Sequence, residues 1–275
     1  MIELPEAIVI SNEINEALTG KTIQNVIVAQ SPHKFAWYFQ DKEKYAEMMV
    51  HKSIKKAYNQ GGFVKIEIGE DVILLLSEGI RIRYLNEGDP IPKKHQLLIE
   101  FVDKSCLVCS VQMYGGLVAF HDGDYDNDYY GAARNKPSPL SNSFDQRYFE
   151  DLLSAVSEKL SLKAFLATEQ RIPGLGNGVL QDLLFNAKLH PKRKLSTLDN
   201  DDRISLYQSV KNTLLEMTEK GGRDTEQDIF GHPGSYRTIL SKNTVNQPCP
   251  ICGSLIQKQA YMGGSIYFCP ECQKT

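Results

Sequence analysis

The chain has 275 residues, 41% of them hydrophobic and 24% charged, with a formal charge of −3 and a pI of about 6.1. That is room for two ordinary domains, each with a core, in the composition range of globular proteins. It excludes a polyanion binder that works through bulk charge: residues 1–140 hold 15 Lys and Arg against 19 Asp and Glu, the remainder 16 against 15, so any such site is local and belongs to the second half. The acidic start, Met1-Ile-Glu-Leu-Pro-Glu6, lacks the basic and apolar regions of a signal peptide, and no apolar run approaches the ~20 residues of a membrane span. A cytoplasmic monomer without membrane contacts is the expectation.

After Pro5, apolar residues at Ile10, Ile14, Ala17 and Leu18 form the stripe of an amphipathic helix from Glu6 to Leu18, stopped by Thr19-Gly20. Short β-rich runs follow: Thr22–Val28, Phe63–Ile68, Val72–Leu76, Ile80–Leu85, Gln96–Val102, Cys106–Met113 and Leu117–Phe120, with turns at Gly61-Gly62, Gly69-Glu-Asp and Asp103-Lys-Ser. Strands at this spacing predict a sandwich or barrel. Cys106 and Cys109 form a CxxC inside an apolar run with no second pair to join, which makes them strand or core residues. The alternating Asp122, Asp124, Asp126 and Asp128 suggest a calcium loop but lack the closing bidentate Glu, so residues 126–142 read as a solvated linker.

Helices are predicted from Phe144 to Leu160 with Ser143 as cap, from Leu162 to Ala167 behind Ser161, and from Val179 to Ala187. Two more run from Leu198 to about Leu206 and from Tyr207 to Lys220. The Gly-rich turn Pro173-Gly-Leu-Gly-Asn177-Gly offers backbone N–H groups and a helix dipole to an anion, and Lys188, Lys192, Arg193 and Lys194 follow it, which favours a phosphate. At the end, Cys249-Pro-Ile-Cys252 and Cys269-Pro-Glu-Cys272 flank sixteen residues that read as a hairpin about Gly263-Gly264. Two such pairs place four thiolates for one tetrahedral Zn²⁺. A closed Cys₄ site leaves no position for substrate, so the zinc is structural.

Four motifs in one order resemble the formamidopyrimidine-DNA glycosylase/endonuclease VIII (Fpg/Nei) family. They are the start Met1-Ile-Glu-Leu-Pro-Glu6, close to the family's Met-Pro-Glu-Leu-Pro-Glu; Pro-Gly-Leu-Gly-Asn177 with Asp182; Gly221-Gly222 with Gly231-His-Pro-Gly234; and the Cys₄ hairpin ending Cys272-Gln273. The resemblance covers essentially the whole chain. It implies an α+β protein: an N-terminal β-sandwich with a leading helix (1–125), a linker (126–142), a helical helix–two-turn–helix domain (143–246) and a zinc finger (247–275). It also implies binding to damaged or abasic duplex DNA with the lesion flipped out. In the family the Met is removed and the exposed Pro amine attacks C1′, with the Glu at position 3 shuttling protons. The catalytic positions it implies here are Met1, Ile2, Glu3 and Glu6, and the DNA contacts are Asn177, Gly176, Lys163, Gln112 and Met113.

Ile2 stands where the family has its Pro nucleophile. By the same resemblance a hairpin Lys becomes Gly62 and a finger Arg becomes Gly264. A Met-containing turn becomes Ser77-Glu78-Gly79, and the Arg-Arg-Phe wedge becomes Gln112-Met113-Tyr114. The reading is a DNA-binding zinc protein with weak or absent glycosylase and lyase chemistry; the alternatives are an active enzyme using its N-terminal amine with Glu3, or a scaffold for another partner. On the residues alone Glu3 and Glu6 also suit a helix N-terminus, Asn177 a turn, and Met113-Tyr114 a strand.

Overall fold

The computed structural model describes residues 1–273 and so leaves the last two positions of the expected zinc-finger segment outside the described residues. Helix α1 spans Leu4–Leu18 and so begins two residues before the expected Glu6. Pro5 falls in the first turn, where its missing N–H has no intrahelical partner to lose, and the Glu6 carboxylate reaches back to accept the Glu3 N–H at 3.1 Å.

The N-terminal half is a sandwich of two sheets. Strands β1 (Ile23–Val28), β6 (Ile80–Leu85), β7 (Leu97–Phe101) and β8 (Cys106–Val111) form one, in the order β1-β7-β8-β6. The other is ordered β2-β9-β5-β4-β3, from β2 (Ala36–Trp37), β3 (Ile54–Gln60), β4 (Phe63–Ile68), β5 (Val72–Leu76) and β9 (Gly115–His121). Val64, Ile66, Leu74, Ile99, Phe101 and Leu107 pack between them with Ile10 and Ile14 of α1. Cys109 belongs to that core while Cys106 faces a separate cluster, because three residues along a strand reverse the side-chain direction.

Four elements lie where no periodic run marks them: β2, β3, a short helix α2 (Tyr45–Met49) and a helix α3 (Asp128–Asn135). Strand β3 is an edge strand in which only Ile54 and Ala57 are buried, so its sequence stays polar. Helix α3 corrects the expected bare linker. Asn127 caps it by accepting the Tyr130 N–H at 2.8 Å, and the buried Tyr130 packs with Ile73, Leu75, Val118 and Phe120. The five-stranded sheet is therefore covered on both faces, which is why β5 reads as an unbroken apolar run.

The C-terminal half is helical: α4 (Gln146–Ser154), α5 (Leu162–Ala167), α6 (Val179–Asn186) and α7 (Asn200–Glu219). Two expectations change. Helix α4 is capped by Asp145, not Ser143, and stops at Ser154 instead of running to Leu160. The two helices expected over 198–220 are one, since Leu206-Tyr207 contains no breaker and Asp199 caps the whole length. Strands β10 (Gln257–Tyr261) and β11 (Gly264–Phe268) form the terminal hairpin, turning through Met262 and Gly263, both at positive φ as a two-residue hairpin turn requires.

The halves interlock. Leu4 of α1 is fully buried in the helical core beside Phe144, Phe149 and Phe165. In return, Ile229 from the long loop after α7 is fully buried in the sandwich core, where the Glu13 carboxylate accepts its N–H at 3.1 Å and its C=O accepts the Tyr84 N–H at 2.7 Å. On the sandwich side, Asn15 of α1 clips the exposed edge of β3: its Nδ2 donates to the Ala57 C=O (2.9 Å) and its Oδ1 accepts the Ala57 N–H (2.7 Å). Asn15→Ala leaves both backbone groups unpaired and lowers stability by about 1–3 kcal/mol in urea denaturation. A cost indistinguishable from that of an exposed surface substitution would show that the clip does not hold the helix.

Candidate functional site

The Gly-rich turn at residues 173–178 joins α5 to α6 and points its N–H groups at the start of α1. The Glu3 carboxylate, 2% exposed, accepts from the N–H groups of Gly176 (3.2 Å), Gly178 (2.8 Å) and Val179 (2.8 Å). The approach demands glycine: a Cβ on Gly176 would lie 2.8 Å from Glu3 Cδ, and one on Gly178 would lie 1.7 Å from Arg223 Nη1. This corrects the phosphate expectation. The anion in the turn is a side chain of the protein, and the Gly176 N–H is already taken.

Arg223, directly after Gly221-Gly222, closes the arrangement. Its guanidinium grips Glu6 with Nε (2.8 Å) and Nη2 (2.7 Å), donates from Nη2 to the Met1 C=O (3.1 Å), and places Nη1 3.6 Å from Glu3. Burial works against the charge of Glu6, yet Arg223 outweighs it and holds the carboxyl below the usual carboxylate range. The Met1 amino group pairs with Glu226 of the same loop, and Ile2, 5% exposed, sits in the sandwich core. Met1, Ile2, Glu3, Glu6 and Gly176 therefore meet at one place, with Glu6 a partner of Arg223 and not a free acid. Arg223 and Glu226 were missed by sequence reasoning; an arginine and a glutamate in a polar loop give no periodicity to find them by.

The remaining expected residues form two other groups. Lys163 (4% exposed) donates from Nζ to the Tyr261 C=O at 2.7 Å, and burial pushes its pKa down. Asn177 donates from Nδ2 to the Ser265 C=O at 3.1 Å, while its Oδ1 is buried without a partner among the described residues. Both border Gly264: a Cβ there would stand 3.4 Å from Lys163 Nζ and 3.8 Å from Asn177 Oδ1. Gln112 and Met113 lie apart, exposed at the β8–β9 connection. The basic run is partly spent inside the molecule, with Arg193 on Asp202 and Lys192 on Gln259 Oε1. Asp182 is buried too, accepting the N–H groups of Ile239 (2.9 Å) and Leu240 (2.8 Å) and so fixing the long loop on α6.

The Sγ atoms of Cys249, Cys252, Cys269 and Cys272 all lie within 4.8 Å of one another. Cys249–Cys272 and Cys252–Cys269 stand 3.8 and 3.4 Å apart, against about 3.8 Å for the edge of a tetrahedron with Zn–S bonds of about 2.3 Å. A disulfide would need about 2.05 Å. The donor set fits Zn²⁺, and its closed form makes the metal a brace. Gln181 ties this finger to α6 by accepting the Tyr267 N–H at 2.9 Å and donating to the Ser265 C=O at 3.3 Å.

Beside the N-terminus a cavity of ≈ 610 Å³ opens in the sandwich, with Glu78, Gly62, Trp37 and Tyr114 in its lining. Burial, together with the charge of Glu3, pushes the Glu78 carboxyl up to about 7, against the opposing pull of the N-terminal ammonium and the Tyr114 hydroxyl.

Two outcomes follow from these charges. Arg223→Met leaves two buried carboxylates without their cation and destabilises the protein by about 3–5 kcal/mol; a loss below about 1 kcal/mol in urea unfolding would show that the turn N–H groups suffice. Glu78 binds its proton up to about pH 7 when folded but only to about 4.5 when unfolded. Its stabilising contribution is thus full below 4.5 and lost as pH rises through 7. Glu78→Gln is therefore more stable than the natural protein by about 1–3 kcal/mol at pH 8, with no gain at pH 4.5. A gain that is equal at both pH values would refute the assignment.

The sequence model of the formamidopyrimidine-DNA glycosylase H2TH domain matches residues 136–228. Formamidopyrimidine-DNA glycosylases of Bacillus cereus and Brevibacillus brevis are each 28% identical, the first over 99% of both chains and the second over 100% of both. Among solved structures, Lactococcus lactis Fpg in complex with DNA containing an abasic site shares the fold with a TM-score of 0.83 at 22% identity, covering 99% of this chain and 100% of that one. Thermus thermophilus MutM (Fpg) gives 0.80 at 23%, covering 98% of each. The chain is thus similar to formamidopyrimidine-DNA glycosylases along its whole length, shares their fold, and matches their H2TH domain over residues 136–228.

Proposed function

We propose that the protein recognises damaged or abasic duplex DNA and carries little of the Schiff-base chemistry expected of the family it resembles. The observation that carries the reading is the state of the first two residues. Ile2 is in amide linkage with its side chain buried in the sandwich core, and the Met1 amino group is the cationic partner of Glu226. A nucleophilic amine has to be positioned on C1′, and the contact with Glu226 and the buried Ile2 side chain hold the Met1 amine elsewhere. The DNA contacts we assign are Asn177, Lys163, Gln112 and Met113. Asn177, whose buried Oδ1 has no partner among the described residues, and Lys163, one hydrogen bond into its three donors, lie beside Gly264, and Gln112 and Met113 stand exposed at the β8–β9 connection. The Lactococcus lactis relative is seen on abasic DNA, which supports the same substrate here. No helix among the described residues is long and apolar enough to cross a membrane; we place the protein in the cytoplasm as a monomer.

The competing reading is an active glycosylase and abasic-site lyase, favoured by the contact of Glu3 with the turn and its nearness to the N-terminus. Intact mass establishes which residue comes first in the purified protein. Borohydride trapping and equilibrium binding on the same abasic duplex then separate the readings. The expected result is binding that weakens roughly tenfold in Asn177→Ala, as for loss of a phosphate contact, with little trapped complex from the natural protein and more from Ile2→Pro. Efficient trapping by the natural protein, abolished in Glu3→Gln, would establish the enzyme instead.

A further inference from the structure

We propose that the loop between Asp224 and Tyr236 is a releasable strap that masks the N-terminal amine, seated on the sandwich by Ile229 and governed by Glu13. This rests on the held N-terminus described above and adds the means of its release.

The strap is a folded unit with a fixed base. There the Asp224 N–H donates to the Tyr236 C=O at 2.8 Å, and the Tyr236 N–H to the Gly222 C=O at 3.1 Å. The Thr238 hydroxyl donates to the Asp224 carboxylate at 2.8 Å, and the Ser235 N–H to the Lys220 C=O at the end of α7 at 2.9 Å. Beyond these anchors the chain folds back on itself. The Gly234 N–H donates to the Glu226 C=O (3.3 Å), the Asp228 N–H to the His232 C=O (3.0 Å) and the Gly231 N–H to the Asp228 C=O (3.3 Å). Gly231 makes the tip at φ +92°, a backbone that residues with a side chain rarely adopt. A small hairpin whose backbone groups pair with one another keeps them paired when it moves as a body.

Its outer end is lightly attached. The Ile229 side chain enters the sandwich core, its C=O accepts the Tyr84 N–H (2.7 Å), and its N–H goes to the Glu13 carboxyl (3.1 Å). Arg83 of β6 donates from Nη2 to the Phe230 C=O at 3.3 Å, while Phe230 itself is 42% exposed. Detaching a segment held by one buried side chain is a local opening, far less costly than unfolding the core around it.

Glu13 is the part of this seat that titrates. It is half-buried, with Asp228 and His232 facing it from the strap and Glu16 from its own helix. Burial pushes its carboxyl up to about 7, against the pull of the Ile229 N–H, and the charges of Asp228 and Glu16 add to the rise while His232 opposes it. The neighbouring cations are engaged: His232 with Asp228 (3.1 Å), Arg83 with the Phe230 C=O, and Lys220 of the α7 end with Glu216 (2.6 Å). With the strap seated, Glu13 keeps its proton to about pH 7; once water reaches it, the ordinary value of 4.5 returns. Seating is therefore fully favoured below 4.5 and loses that support as pH rises through 7.

Glu226 connects the seat to the N-terminus. It belongs to the hairpin, and its carboxylate is the partner of the Met1 amino group. Seated, the strap pins the amine. Lifted, it carries that carboxylate away and leaves the amine open to reagents.

The test uses the full-length protein without DNA, so its outcome is separate from the DNA-binding reading. Hydrogen exchange read by mass spectrometry follows residues 226–236 at pH 6.0 and 8.5, corrected for the intrinsic rate at each pH. Labelling of the N-terminal amine by an activated ester is followed under the same conditions. Protection of the strap falls about tenfold at the higher pH while the amides of β5 and α7 are unchanged. Glu13→Gln, which keeps an acceptor for the Ile229 N–H, holds the strap protected at both. At pH 8.5 the natural protein is labelled about tenfold faster than Glu13→Gln, and at pH 6.0 the two agree within about twofold; comparing the two proteins at one pH cancels the titration of the amine itself. Strap amides that exchange no faster than those of α7 at either pH, a pH response that survives Glu13→Gln, or equal labelling of the two proteins at pH 8.5 each overturn the proposal.

Discussion

Burying one guanidinium between two carboxylates takes three charges out of water, at a cost of several kcal/mol each before any attraction is counted. The Glu3–Arg223–Glu6 contact is tolerable because further groups share the load. Arg223 grips Glu6 with two nitrogens, three backbone N–H groups of the Gly-rich turn converge on Glu3, and the Met1 ammonium answers Glu226. The excess negative charge is thus met by peptide dipoles at the start of α6. Each member is contributed by a different part of the chain: the first six residues, the turn between α5 and α6, and the loop after α7. The centre exists only when all three have come together.

That centre fixes the relation of the two halves. Glu3 and Leu4 are neighbours in sequence, yet one is held by the turn and the other is buried in the helical core. Ile2 and Ala7 on either side belong to the sandwich core. The first turn of α1 is therefore a pin through both layers, and any rotation of one half against the other must break hydrogen bonds to a buried carboxylate. The sandwich cavity, Glu78 and the N-terminus keep their spacing for the same reason.

Much of this could be read from the residues. The Cys₄ finger followed from spacing alone, because two CxxC knuckles at this separation place four thiolates for one tetrahedral metal ion. Buried strands such as β5 announced themselves as apolar runs. What stayed hidden was structure whose stability is not local. Strand β3 hides its edge under Asn15, forty-two positions away, and α3 owes its place to one tyrosine on the outer face of a sheet. The split of α7 into two was an error of a different sort, a boundary drawn where no breaker stood. The central arginine was invisible because its partners are contributed by the far end of the chain. The Gly-rich turn is an anion site as read, but its amides hold Glu3, since no pattern in sequence distinguishes a ligand's phosphate from the protein's own carboxylate.

The exchange of Leu4 and Ile229 between the two cores bears on how the protein can be made. A ribosome delivers the sandwich strands first, but the piece that completes their core is at position 229, and Leu4 has no pocket until the helices through α7 exist. The nascent N-terminal half must wait, with an apolar gap in its core and a leucine exposed, until nearly the whole chain has emerged. Synthesis at about 5–20 residues per second makes that a wait of many seconds. The closing of the molecule is consequently a late event, and proteins truncated before the long loop carry a sandwich core that lacks Ile229.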